Sequence, residues 1–185
     1  MNPGGIETLT NPPLCGHIVY SYTREEQVIE AICLFAQAGL RKGESVRLVL
    51  TAAHHQPVRE RLEVEGFNLN QVESFGQLVC VDARDLLATF MTDGIIDEYR
   101  FKTTVGDMIV KAKTAGGSRR TVRIFGEIVD LIWTSNPTAT YRLEQLWNHV
   151  IDAHGVQLLC AYSLTRSGRS GLTPSLLACH SHAIQ

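Results

Sequence analysis

Along the chain, apolar positions follow two rhythms. Short runs rich in β-branched and aromatic residues read as strands, and longer stretches with an apolar residue every three or four positions read as amphipathic helices. The first run is His17-Ile18-Val19-Tyr20-Ser21-Tyr22. Behind it, Thr23 and Glu26 have the spacing of a capping box. Val28, Ile32, Phe35 and Ala36 then share one helical face up to Gly39, a suitable residue just past a helix end. Val46 to Leu50 is the second run. Pro57 fits the first turn of the next helix, which carries Val58 and Leu62 and stops at Gly66. Residues 67–76 are mixed and predict a short turn or helical piece. Leu78 to Val81 is the third strand, and a helix through Leu86, Leu87, Phe90 and Met91 ends near Asp93-Gly94. Phe101, Val105, Met108, Ile109 and Ala112 mark another helix, ending at Gly116-Gly117. Val122 to Phe125 is the fourth strand, and Ile128 to Trp133 leaves strand extension and a helical turn both open. Asn136-Pro137 opens a helix containing Leu143, Trp147, Val150 and Ile151, closed by Gly155, and Val156 to Leu164 is the fifth strand. Gly4-Gly5 and Pro12-Pro13 make residues 1–14 a flexible lead-in, residues 165–171 read as a flexible loop, and Thr173-Pro174 starts a short helix.

Strands separated by amphipathic helices imply an α/β fold with a mostly parallel sheet and helices on both faces. No internal repeat is visible, no domain boundary falls within residues 15–164, and residues 15–185 read as one domain. Composition agrees with this: of 185 residues, 44% are apolar and 19% charged, which suits a packed core and excludes a disordered chain or a coiled coil. The formal net charge of −2 gives no global attraction to nucleic acid or an anionic membrane. No run approaches the roughly 18 apolar residues of a membrane-spanning helix, and the first residues lack the basic and apolar regions of a signal peptide. Five scattered cysteines argue against a disulfide framework, so a cytoplasmic location is expected.

In parallel α/β sheets, ligands bind at the carboxyl ends of the strands. The first such turn, Tyr20 to Glu26, has no glycine and no lysine and places two carboxylates where phosphate charge would sit. Neither GxxxxGK[ST] nor GxGxxG occurs, and there is no GxSxG nucleophile elbow. ATP hydrolysis by the phosphate-loop route, catalytic residues and a cofactor are therefore not expected. Tyr20 and Tyr22 could line a pocket for a small, mostly apolar ligand, or fill the space a nucleotide would occupy. Glu127, after the fourth strand, reads as a pocket contact or as a buried partner for an Arg or His. His54 and His55 follow the second strand near the expected cleft, with Trp133 and Tyr162 in the same region. Trp147 lies on an apolar stripe and reads as core, Cys160 shares a strand face with Tyr162 and reads as a small buried hydrophobe, and Glu144 and Asn148 read as a solvated face. Arg119, Arg120 and Arg123 form a basic patch suited to a solvated turn and too small for a nucleic-acid footprint. Cys15-x-His17 and Cys179-His180-x-His182 would meet if the end of the chain returned beside the first strand. Neither spacing is a standard zinc motif, so no metal site is expected.

The succession FAQAGLRKGESVRLVLTAA and LEVEGFNLNQVESFGQLVCVDA resembles the KaiC/RecA-like ATPase core. The segments VRIFGEIVDLIW, LEQLWNHVI, LLCAYSL and LLACHSHAI resemble the MEDS family, the methanogen/methylotroph sensory domain. The resemblance covers roughly residues 15–184. It implies a RecA-like fold whose phosphate loop has been lost, and a signal-input domain that binds a small organic ligand and signals to a partner such as a histidine kinase or a transcription regulator. A helix-turn-helix or kinase output domain, usual beside such domains, does not fit within these residues. A scaffold that binds another protein without any small ligand, and a metal- or cysteine-dependent enzyme, are the competing expectations.

Overall fold

Every residue of the strands His17–Tyr22, Ser45–Leu50, Val122–Gly126 and Gln157–Ser163 is buried, which requires helices over both faces of the sheet. A computed structural model describes residues 1–117, 120–168 and 171–184 and shows this arrangement. The strands are β1 (His17–Tyr22), β2 (Ser45–Leu50), β3 (Leu78–Asp82), β4 (Met91–Thr92), β5 (Ile95–Ile96), β6 (Val122–Gly126), β7 (Gln157–Ser163) and β8 (His182–Ile184). The helices are α1 (Pro3–Thr10), α2 (Glu25–Arg41), α3 (Ala52–Val64), α4 (Leu69–Ser74), α5 (Ala83–Phe90), α6 (Glu98–Thr114), α7 (Ile128–Trp133), α8 (Pro137–His154), α9 (Leu164–Ser167) and α10 (Pro174–Leu177). Six strands form one parallel sheet in the order β3-β2-β6-β7-β1-β8. This is the three-layer α/β architecture expected from the alternating pattern.

Strand alternation sorts the side chains into two cores. Ile18, Tyr20 and Tyr22 of β1 pack with Val28, Ile32 and Phe35 of α2 and Val58 and Leu62 of α3. Val19 of β1, with Cys160 and Tyr162 of β7, packs with Phe101 of α6, Trp133 of α7 and Leu143 and Trp147 of α8. Phe101 meets Phe90 and Trp147 edge-on, at ring separations of 5.1 and 5.2 Å.

Several expectations are corrected. Residues 3–10 are a helix rather than a flexible lead-in, because Asn2 accepts the Gly5 amide at 2.7 Å and Leu9 is fully buried. The last carbonyls of α1 are taken by cations: Arg123 donates to Leu9 and Thr10 at 3.1 and 3.2 Å, and Lys42 to Thr10 at 3.0 Å. Arg123 is therefore a buried core residue paired with Glu44 and stacked over Phe35, not part of a solvated basic patch; Arg119 lies outside the described residues. Gly39 lies inside α2 and not past its end; its missing side chain makes room for Arg123, whose Cδ would lie 2.8 Å from a Cβ there. The helix start falls at Glu25, where the Gln27 side chain, not Glu26, accepts the amides of Thr23 and Arg24 at 3.2 and 3.0 Å. α3 begins at Ala52 and holds Pro57 in its interior. Asp93-Gly94 does not simply end a helix: both residues have positive φ and turn the β4–β5 hairpin. Ile128–Trp133 resolves as helix, and α9 (Leu164–Ser167) takes Leu164 from the expected fifth strand and residues 165–167 from the expected loop.

Candidate functional site

The carboxyl ends of four neighbouring strands, β2, β6, β7 and β1, each deliver polar residues to one place. Glu127, directly after β6, accepts the Thr51 amide at 2.6 Å through Oε2 and bonds His54 Nδ1 through Oε1. His54, on the first turn of α3, bonds Glu25 of α2 through its other nitrogen. Since both ring nitrogens face carboxylates, an imidazolium donating from both satisfies the geometry. Glu25 also lies 3.5 Å from Arg166 of α9, which lies 3.3 Å from Asp130 of α7. Asp130 in turn accepts the Ser163 amide at 2.8 Å. His54 and Glu127 are buried, whereas the side chains of Glu25 and Arg166 are 52% and 44% exposed. The network thus has a sealed floor and a wet rim.

Charge follows this layout. Burial alone would discharge His54, but hydrogen bonds and charge from Glu127, then Glu25, raise its pKa above the usual imidazole value. Burial raises the Asp130 carboxyl to about 6, against the opposing pull of the Ser163 amide and Arg166. Tyr22 is pushed up by burial first, then by Asp130, Glu127 and Glu25. Three carboxylates converge here beside His54 and Arg166, an unfavourable setting for a polyphosphate.

The predicted site residues divide. His54 and Glu127 are in direct contact, as a buried acid and its histidine partner. Tyr20 and Tyr22 lie on the α2–α3 face with ring centroids 6.3 Å apart, both buried, and Tyr20 donates to the Gln27 carbonyl at 3.4 Å. Trp133 and Tyr162 lie on the opposite face, edge-to-face at 5.0 Å. The sheet therefore separates the two aromatic pairs.

A second polar cluster lies below Tyr162 on that opposite face. Glu144 is fully buried in α8, not on a solvated face. It accepts the Tyr162 hydroxyl at 2.5 Å and sits 3.2 Å from His17 Nε2, 3.3 Å from His180 Nε2 and 3.7 Å from Cys160 Sγ. Asn148, one turn on, bonds His17 at 2.8 Å and the Cys179 carbonyl at 3.0 Å. Burial favours the neutral acid at Glu144, but His17 and His180 outweigh it and hold the carboxyl well below the usual range. The end of the chain does return beside β1, bringing His17 and His180 together with rings 4.1 Å apart. Their companions are Glu144 and Cys160 rather than Cys15, Cys179 or His182: Cys15 and His182 are exposed, and the Cys179 thiol donates to the Ser175 carbonyl at 3.4 Å. Glu144 carried a signal, since Glu144, Trp147 and Ile151 share a helical stripe. A separate groove of about 460 Å³ runs between α1 and β8, lined by Asn2, Thr8 and His182 among others.

The family model described as "MEDS: MEthanogen/methylotroph, DcmR Sensory domain" matches residues 16–181. The chain belongs to the MEDS family. No curated protein matches this MEDS domain. Among solved structures, it is similar to a KaiC-like protein from the hyperthermophilic archaeon Pyrococcus horikoshii OT3, with a TM-score of 0.63 and 12% identity, over 92% of this chain and 72% of that one. At that identity the likeness is one of fold, and it supports the KaiC/RecA-like architecture. Family membership places the chain among sensory domains. No helix among the described residues is long and apolar enough to cross a membrane.

Proposed function

We propose that this MEDS domain is a non-catalytic input module that binds a small, mostly apolar organic molecule with one polar group at the carboxyl ends of β1, β2, β6 and β7. On this reading the fold is that of a nucleotide-binding ATPase whose phosphate loop has been replaced by tyrosines and acids. The observation that carries it is the position of His54, sealed between buried Glu127 and half-exposed Glu25. A ligand that takes over a contact of Glu25 or Arg166 changes how the first turn of α2 and the short α9 are held, while the floor stays in place. Such a ligand switches the domain only as far as it favours one arrangement by differential affinity. A signalling partner, such as a histidine kinase or a transcription regulator, then reads the altered helix ends.

A thermal-shift screen of small organic molecules up to millimolar concentration tests this reading. The expected result is a set of related compounds that raise the melting temperature of the wild type and lose that effect in Arg166→Ala and Glu25→Gln. A library with no stabilising compound contradicts the reading. Turnover of Mg-ATP that disappears in Glu127→Gln overturns it.

A further inference from the structure

We propose that His17, Glu144, Cys160 and His180 form a closed, four-coordinate site for a zinc-type divalent cation. The site is distinct from the cleft, and it joins β1, β7 and α8 to the last stretch of the chain. One ligand atom from each residue lies within 4.8 Å of every other. The individual separations are 3.2 Å for His17 Nε2 to Glu144 Oε2, 3.5 Å for His17 Nε2 to Cys160 Sγ, 3.7 Å for Cys160 Sγ to Glu144 Oε2, and 3.3 Å for His180 Nε2 to Glu144 Oε1. Tetrahedral zinc with bonds of about 2.0–2.3 Å sets its ligand atoms roughly 3.3–3.8 Å apart, so His17, Glu144 and Cys160 already stand at about coordination spacing, with His180 Nε2 within 4.8 Å of all three.

The outer nitrogens fix the inner ones. His180 Nδ1 bonds the Leu176 carbonyl at 2.8 Å, and His17 Nδ1 faces the Asn148 side-chain oxygen at 2.8 Å and the Cys179 carbonyl at 3.1 Å. A carbonyl can only accept, so each Nδ1 carries the hydrogen and each Nε2 points inward. That is the outer-contact pattern by which proteins orient metal-binding imidazoles. The Tyr162 hydroxyl holds Glu144 Oε1 at 2.5 Å in the same manner and leaves Oε2 facing His17 and Cys160.

His180 supplies the independent observation. Its side chain is wholly buried, and its Nε2 has no hydrogen-bond partner despite lying 3.3 Å from Glu144, because the direction is wrong for a shared proton. A proton on His17 satisfies Glu144 Oε2, but it leaves the buried His180 Nε2 unpaired beside the carboxylate, which costs energy in a dry site unless a further cation lies between them. A divalent cation satisfies all four groups at once. With Glu144 ionised and Cys160 as thiolate, two negative charges balance the ion, and the buried site is neutral. Binding balances as one metal–sulfur bond formed and the Cys160 thiol proton released to solvent. Since four protein ligands fill a tetrahedron, the site is structural rather than catalytic. His180 lies between α10 and β8, so the ion fastens residues 174–184 to the sheet.

Metal analysis of the full chain, purified without chelator, is expected to give one zinc per chain. Chelation should lower the melting temperature and speed amide exchange over residues 176–184, and added Zn²⁺ should restore both. Co²⁺ in the stripped protein should produce tetrahedral visible bands and a thiolate-to-cobalt charge-transfer band. That band should vanish in Cys160→Ser and persist in Cys15→Ser and Cys179→Ser. His180→Gln, outside the central sheet, should weaken zinc binding by about tenfold or more, which keeps the test open if Cys160→Ser fails to fold. Absence of stoichiometric metal together with no thermal response to Zn²⁺ overturns the proposal. So does a cobalt charge-transfer band that survives Cys160→Ser, or zinc affinity unchanged in His180→Gln.

Discussion

Two histidines, one beside each end of the sheet's strands, each pack against glutamate. His54 has Glu127 beneath it and Glu25 above, and Glu25 is half in water. His17 and its neighbour His180 face one acid, Glu144, and all three side chains are sealed from solvent. The difference lies in what can exchange. At the carboxyl ends, Glu25 and Arg166 trade partners with solvent at little cost, because exposed ion pairs contribute little. In the sealed cluster every polar atom depends on the others, since a buried group that loses its partner keeps the full desolvation penalty. The same chemistry thus gives an adjustable rim in one place and a fixed anchor in the other.

The comparison breaks first at Glu144. Glu144→Ala removes the group shared by His17, His180 and Tyr162 and is expected to destabilise the fold by about 3–5 kcal/mol, as read by urea denaturation in chelator. A loss below about 1 kcal/mol would make the sealed cluster no more demanding than a surface pair.

The pH dependence of the rim sharpens the contrast. The Asp130 carboxyl titrates near 6 in the fold against 3.8 unfolded, so the folded state holds its proton to higher pH. Its effect on stability is absent below about pH 4, grows as an increasing penalty between about pH 4 and 6, and is complete above that, at about 2–3 kcal/mol. The raised His54 adds a change of the same sign: its stabilisation is full below the unfolded value of 6.5 and fades as pH rises through the folded value. Asp130→Asn keeps an acceptor for the Ser163 amide and should flatten the pH 4–6 segment of the denaturation midpoint. An unchanged slope would remove Asp130 from the network. The smallest effect belongs to Arg166→Ala, expected to cost below 1 kcal/mol because its partners Glu25 and Asp130 retain water or an amide.

The parallel sheet was legible because its five longest strands are short, mainly apolar runs rich in β-branched and aromatic residues and bounded by helical stripes, and that alternation admits few topologies. β8 was not, since a three-residue edge strand, His182–Ile184, has no pattern of its own and exists only through pairing with β1. The hairpin turn at Asp93-Gly94 carried its signal in the dipeptide, yet its two-residue strands are too short for alternation to show. α1 depends on Arg123, more than a hundred residues away, to occupy its last carbonyls, so local composition alone read as a lead-in. In the site, Glu127 and His54 followed from their positions after strands. Glu144 did not: its place on the stripe of Trp147 and Ile151 marks it as buried, but its partners His17 and His180 arrive from opposite ends of the chain and no local pattern shows them.

The central claim is that the rim at the strand carboxyl ends responds to a ligand while the sealed cluster holds still. An amide chemical-shift map of the chain with the compound that stabilises it most tests this directly. The account predicts that Thr51, Asp130, Ser163 and Arg166 shift while Glu144 and Cys160 stay in place. Shifts confined to the α1–β8 groove, or centred on Glu144 and Cys160, would contradict it.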